Sequence, residues 1–154
     1  MIKRIYEVIL AVEDMDAAVE KYSQILGIRP WGFPESVMPQ PGGMKAAVFH
    51  LGGHEGTAWL GLMASTRKGS DVDRFIERRG EGVYAVAYQV TDLEQDMKEL
   101  ASKGIRLIYD KPQEFIAGRY NIGHSSSFNG VHITTLAEHP RPLKEVHQEF
   151  GFKL

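Results

Sequence analysis

Glu7 is the residue most suggestive of chemistry, because it is a carboxylate inside the apolar run IYEVILAV at 5–12. An ionised carboxylate there is costly unless it is paired or protonated. Desolvation raises its pKa toward neutrality, which suits a general acid or base. The competing expectation is a strand-edge residue that pairs with Lys3, Arg4 or another surface cation. His132 is the one histidine inside a strong strand pattern, VHITTL. An imidazole there can serve as the acid to a carboxylate base, or it can be a hydrogen-bonded core or rim histidine. Arg119, in the GRYN stretch with Asn121, offers a donor fork for an anionic substrate group, or it is simply solvated. His50 and His54 are four apart in a strand-turn context, which is not a helical metal-pair geometry, so both are expected at the surface. Trp31, Phe33 and Trp59 offer flat surfaces for a planar ligand, with core packing expected of at least one.

Composition narrows the chemistry further. The chain has 154 residues and a formal net charge of −2, so no basic excess points to nucleic acid or an anionic membrane. Cysteine is absent, which excludes disulfides, zinc-thiolate sites, iron–sulfur clusters and a thiol nucleophile. There is no glycine-rich phosphate loop, no G-x-S-x-G elbow and no H-E-x-x-H helix. No apolar run approaches the roughly 20 residues of a membrane span, and no signal-peptide pattern opens the sequence. A cytoplasmic protein is expected.

The elements that must position these residues are written twice. Residues 5–29 and 83–106 align at an offset of 78, sharing Tyr6/Tyr84, Val8/Val86, Val12/Val90 and Asp14/Asp92. After a one-residue gap they share Gly27/Gly104, Ile28/Ile105 and Arg29/Arg106. Each copy runs from a β-rich strand to an aspartate N-cap, an amphipathic helix and a glycine stop. Further strands are expected near 28–34, 44–51 and 57–64 in the first half, and near 105–109, 118–124 and 130–137 in the second. Residues 52–56 are expected as a hairpin turn, and a Pro/Gly loop marked by Pro34, Pro39, Pro41, Gly42 and Gly43, with Met38 and Met44 flanking it, suits an adaptable lid. A capped helix over about 70–79 bridges modules at about 1–66 and 80–139, which together make one domain over 1–139. A tail at 140–154 carries Leu143, Val146 and Phe150 for docking on the body or on a partner. The fold class is α+β: two β-α-β-β-β modules whose curled mixed sheet makes a cup with helices outside, and such concavities hold small molecules.

The stretches VILAVEDMDAAVEKYSQILGI, FIERRGEGVYAVAYQV, LASKGIRLI and HSSSFNGVHI resemble the vicinal oxygen chelate superfamily, which holds glyoxalase I, bleomycin-resistance proteins, extradiol dioxygenases and methylmalonyl-CoA epimerase. The epimerase-like members are the most similar. The resemblance implies four metal-ligand positions, which fall on Glu7, Leu60 or a near neighbour, Ala85 and Thr134. One carboxylate and one hydroxyl do not replace the water shell of a divalent ion, so no metal and no other cofactor is expected. If Glu7 faces the cup, alternation adds Ala87 and Gln89 beside Ala85, His132 beside Thr134, and Ala58 and Leu62 beside Leu60. His124 matches an epimerase-like histidine or stabilises its own turn.

These readings point to a metal-independent enzyme that moves a proton on a carbonyl-bearing small molecule, by isomerisation, epimerisation, cyclisation or elimination. Glu7 and His132 are its expected catalytic residues. Gln89, Thr134, Leu60, Ala85, Arg119, Asn121 and Trp59 are its expected substrate contacts. The resemblance also implies a homodimer. Two alternatives stand beside this reading: a non-catalytic drug-sequestering protein, and a metal-dependent relative with displaced ligands.

Overall fold

The computed structural model describes residues 1–30, 38–40, 42–51, 58–115, 118–128 and 131–138. Its elements run β1 (Ile2–Ala11), α1 (Met15–Leu26), β2 (Met38–Gln40), β3 (Met44–Leu51), β4 (Ala58–Ser65), α2 (Asp71–Arg79), β5 (Gly82–Val90), α3 (Leu93–Ser102), β6 (Gln113–Phe115), β7 (Gly118–Gly123) and β8 (Ile133–Glu138). This is a β-α-β-β-β order written twice around a bridging helix, an α+β fold. The segment 52–56 expected as a hairpin turn, Trp31, Phe33, His54, half of the Pro/Gly loop and the 140–154 tail lie outside the described residues.

The repeated helices form where their caps dictate. The Asp14 carboxylate accepts from the backbone N–H groups of Asp16 and Ala17 at 3.0 Å each, and Asp92 accepts from Gln95 N–H at 2.9 Å. These bonds satisfy first-turn donors that have no partner within the helix. α1 ends on Gly27, whose backbone is left-handed at φ 68°, while α3 is capped by Lys103 and the left-handed Gly104, at φ 76°, follows it. In α2 the Ser70 hydroxyl caps Asp73 N–H at 3.1 Å. The Asp73 carboxylate reaches back to Gly69 N–H at 2.6 Å, one residue earlier than a capping box requires.

Two compact units result. The first contains Met1–Glu7 and the chain from residue 85 onward; the second is built on Val8–Tyr84. In the first unit the strand order is β1-β5-β8-β7-β6. β5 and β8 are parallel, pairing Ala85 with Ile133 and Ala87 with Thr135, while β7 runs antiparallel to β8. Its helix-side core joins Val90, Leu93 and Leu136 to Tyr88, Met97, Leu100 and Leu107. In the second unit the order is β2-β3-β4-β1. Its core packs Met15 and Ala18 of α1 against Phe49, Leu62 and Ala64. Full burial of each large side chain stabilises by about 1.5–3 kcal/mol.

Three strand expectations shift. Residues 28–30 are not in a strand, where Pro30 removes a ladder donor, and the short β2 lies later, at Met38–Gln40. Around 105–109 only Leu107 bridges to Gly123, and the strand forms beyond Pro112 as β6. β8 begins at Ile133 rather than near residue 130.

Candidate active site around Glu7

Strand pleating sorts the site residues by face. Leu10 of β1 packs into the α1 core, so Glu7, of opposite parity, is turned away from that helix. In β5, Tyr88 and Val90 pack on the α3 side, which turns Ala85, Ala87 and Gln89 the other way. The β5/β8 register carries this face to Ile133, Thr135 and Ala137. In strand order the neighbours β1, β5 and β8 carry Glu7, Ala85 with Ala87, and Thr135 respectively. The alanines, both buried, put only methyl groups between the carboxylate strand and the hydroxyl strand.

Among the described residues Glu7 has neither an ion-pair partner nor a hydrogen-bond donor. It keeps partial contact with solvent, yet burial pushes its carboxyl from the ordinary 4.5 up to about 7. The charged form is penalised because protein atoms replace water around it. Its charge in turn adds to the burial that raises the Tyr6 phenol far above its usual range. The strand-edge ion pair is therefore not formed. Arg4, one of the expected cations, donates from Nε to Gln89 Oε1 at 2.7 Å instead.

Four expected contacts need correction. Thr134 is 1 % exposed and shares its strand face with Leu136, on the α3 side. The outward hydroxyl is that of Thr135, one residue on, which the sequence reading missed. Leucine 136 was the available signal, since a core leucine there forces its neighbour outward. Leu60 packs on the α1 core with Phe49 and Leu62, so β4 turns Trp59, Gly61 and Met63 to its opposite face. Asn121 is fully buried. Its Nδ2 donates to Tyr109 O at 2.9 Å, and its Oδ1 accepts from Ile122 N–H at 2.7 Å and Tyr109 N–H at 3.3 Å. Arg119 is held by Glu138 through Nε at 2.9 Å and Nη2 at 2.6 Å, and by Glu94 through Nη1 at 2.8 Å. Asn121 is thus spent within the fold, and Arg119 is tied into two ion pairs.

His132 is half-buried one residue ahead of β8, outside the strand. His124 caps its own turn, its Nδ1 lying 2.7 Å from Ser126 Oγ and accepting from Ser126 N–H at 3.2 Å. In the second unit, Trp59 stacks on His50 with ring centroids 4.8 Å apart and planes at 26°. Burial lowers the His50 imidazole to about 4, so it is neutral at pH 7 rather than a solvated surface group.

The profile of the Glyoxalase/Bleomycin resistance protein/Dioxygenase superfamily matches residues 7–122. The chain belongs to this superfamily. A methylmalonyl-CoA epimerase from Mycobacterium tuberculosis superposes with a TM-score of 0.75 at 28% identity, covering 94% of this chain and 92% of that one. A variant of the Streptomyces coelicolor methylmalonyl-CoA epimerase in complex with 2-nitronate-propionyl-CoA gives 0.77 at 26% identity, covering 92% and 100%. A methylmalonyl-CoA epimerase in complex with methylmalonyl-CoA and ammonium gives 0.76 at 26%, covering 91% and 96%. No curated protein matches the chain.

Metal-binding members of the superfamily need four donors at the positions the resemblance assigns. Within the first unit, corrected for strand faces, these positions are Glu7, Ala85 and Thr135: one carboxylate, one hydroxyl and one methyl group. Among the described residues no cluster of three or more His, Cys, Asp or Glu could hold an ion. This donor set does not fit a divalent metal.

Proposed function

We propose that this superfamily member is an isomerase-type or lyase-type enzyme that transfers a proton next to the carbonyl of a small organic molecule, without a catalytic divalent metal. One observation carries this reading: a carboxylate with no partner among the described residues, raised toward neutrality by burial, on the strand beside the one that carries Ala85 and Ala87. In its charged form Glu7 removes a proton from the carbon beside the carbonyl. As a neutral acid it returns the proton to a new position or face. The Thr135 hydroxyl donates to the oxygen on which charge develops, and Ala85 and Ala87 leave the substrate its room. His132 is the second proton carrier in this proposal. The similarity to methylmalonyl-CoA epimerases supports the reaction class, since inverting a carbon centre requires the same removal and return of a proton. The family resemblance further suggests a homodimer, which the mass in solution tests.

Incubation with a panel of oxo acids and thioesters in deuterium oxide, followed by NMR, tests the proposal. Deuterium should enter next to the carbonyl, a chelator should leave the rate unchanged, and Glu7→Gln should lower it at least about 100-fold. Exchange that requires an added divalent ion, or that survives Glu7→Gln, refutes it. The Trp59–His50 stack favours a second reading, sequestration of a planar ligand without chemistry. A ligand recovered unaltered, with no deuterium in any compound of the panel, supports that one.

A further inference from the structure

We infer that residues 142–150 of the C-terminal segment are the second module's counterpart of α2, and that Val146 and Phe150 cover Tyr6 of β1 as Phe75 covers Tyr84 of β5. In the first module the last strand, β4, is followed by α2, whose Asp71–Arg79 run is closed by Gly80. Val72 and Phe75 are its buried residues. The Phe75 ring meets Tyr84 edge-on with centroids 5.3 Å apart, and the Arg79 guanidinium lies 5.9 Å over the Phe75 ring.

The sequence that follows β8, the last strand of the second module, has the same pattern. Residues 142–150, PLKEVHQEF, match α2 in length and are also closed by a glycine, Gly151. Aligning the two glycines sets Leu143 on Val72, Val146 on Phe75 and Phe150 on Arg79. The three apolar residues fall on one helical face, and proline at the head and glycine at the end suit a helix start and stop. Val146 is smaller than Phe75, but Phe150 stands four residues on, on the same face, and supplies the ring. The surface to be covered is equally specific. Tyr6 holds Tyr84's place in the repeat. It is 6 % exposed and belongs to neither helix-side core described above, and burial holds its phenol far above the usual range. Sheet order makes the two arrangements equivalent: β4 stands two places from β5, and β8 stands two places from β1. Two strand spacings are about 10 Å, a distance that residues 139–141 can bridge. Tyr6 adjoins Glu7, so the segment braces the strand that carries the proposed acid, whatever the role of that acid.

Nitration by tetranitromethane with peptide mapping reads the cover on each tyrosine of the full chain, with Tyr84 as internal standard. Both Tyr6 and Tyr84 should resist in the native protein. Val146→Asp and Phe150→Asp should each raise nitration of Tyr6 at least about 10-fold and leave Tyr84 within about 2-fold, the pattern of a local opening. Val146→Phe, which supplies the residue α2 uses, should keep Tyr6 protected. Nuclear Overhauser effects should join the Tyr6 ring to the Val146 methyls or the Phe150 ring in the native protein, and a mixture of labelled and unlabelled copies should place them within one chain. Unchanged protection of Tyr6 in both aspartate variants overturns the inference, as does the absence of these Overhauser effects. Effects found only between copies give the segment to a second copy of the chain and overturn it too. Where a variant exposes Tyr84 as well, it has lost its fold, and the Overhauser effects of the native protein decide.

Discussion

Replacing Glu7 by glutamine keeps the shape of the side chain and removes its charge, so it separates what the carboxylate does for turnover from what it costs the fold. A carboxyl raised from 4.5 to about 7 corresponds to a charged form destabilised by about 3 kcal/mol. Because Glu7 retains some solvent contact, about 1–3 kcal/mol is the working range. The folded chain holds this proton between pH 4.5 and about 7, where the unfolded chain has released it. Stability attributable to Glu7 is therefore fully present below pH 4.5 and is lost as pH rises through about 7. Glu7→Gln should then match the native protein near pH 4 and exceed it at pH 8, by about 3–10 °C in melting temperature for a chain of this size. His50, lowered to about 4 by burial, acts in the opposite sense, with stability lost as pH falls from about 6.5 toward 4. It is common to both proteins and cancels in the comparison. The assay is thermal unfolding across pH 4 to 8, paired with deuterium-exchange rates. A variant that is equally or less stable at pH 8, or a difference that ignores pH, refutes the buried-carboxylate reasoning whatever happens to activity.

Other expectations follow from single residues. Asn121→Ala removes the buried amide that pairs the Tyr109 N–H and C=O and should cost about 1–3 kcal/mol in urea unfolding; a loss below about 1 kcal/mol would show that water replaces the amide. Arg119→Ala removes exposed ion pairs and should change stability by less than about 1 kcal/mol with KM unaltered, so a marked rise in KM would return Arg119 to the site. Thr135→Val should lower kcat about 10-fold or more while Thr134→Val leaves kcat alone and loses stability; the reverse pattern would show that the strand faces are misassigned. Gly27→Ala, at φ 68°, should cost about 1–2 kcal/mol, and a neutral result would mean that α1 ends otherwise.

The duplicated grammar was legible because local rules enforce it: Asp14 and Asp92 cap, Gly27 and Gly104 stop, and the apolar spacing selects strand or helix. Glu7 stood out because a charge in an apolar run is anomalous in any fold. Its lack of a partner is another matter, since Arg4 was an available cation in the sequence and only the tertiary structure sends it to Gln89.

Which neighbours share a face was also beyond the sequence. A strand repeats every two residues, so a slip of one exchanges its whole inward and outward sets. TTL at 134–136 and WLG at 59–61 admit either phase until a helix is laid against one side. Packing of Leu136 beside Val90 and Leu93, and of Leu60 and Leu62 against α1, makes that choice. The amino-acid pattern alone therefore determined the order of elements, their caps and the anomalous acid. Which residues of each strand are laid against a helix, and that Arg4 meets Gln89 rather than Glu7, depended on long-range packing that no local window contains.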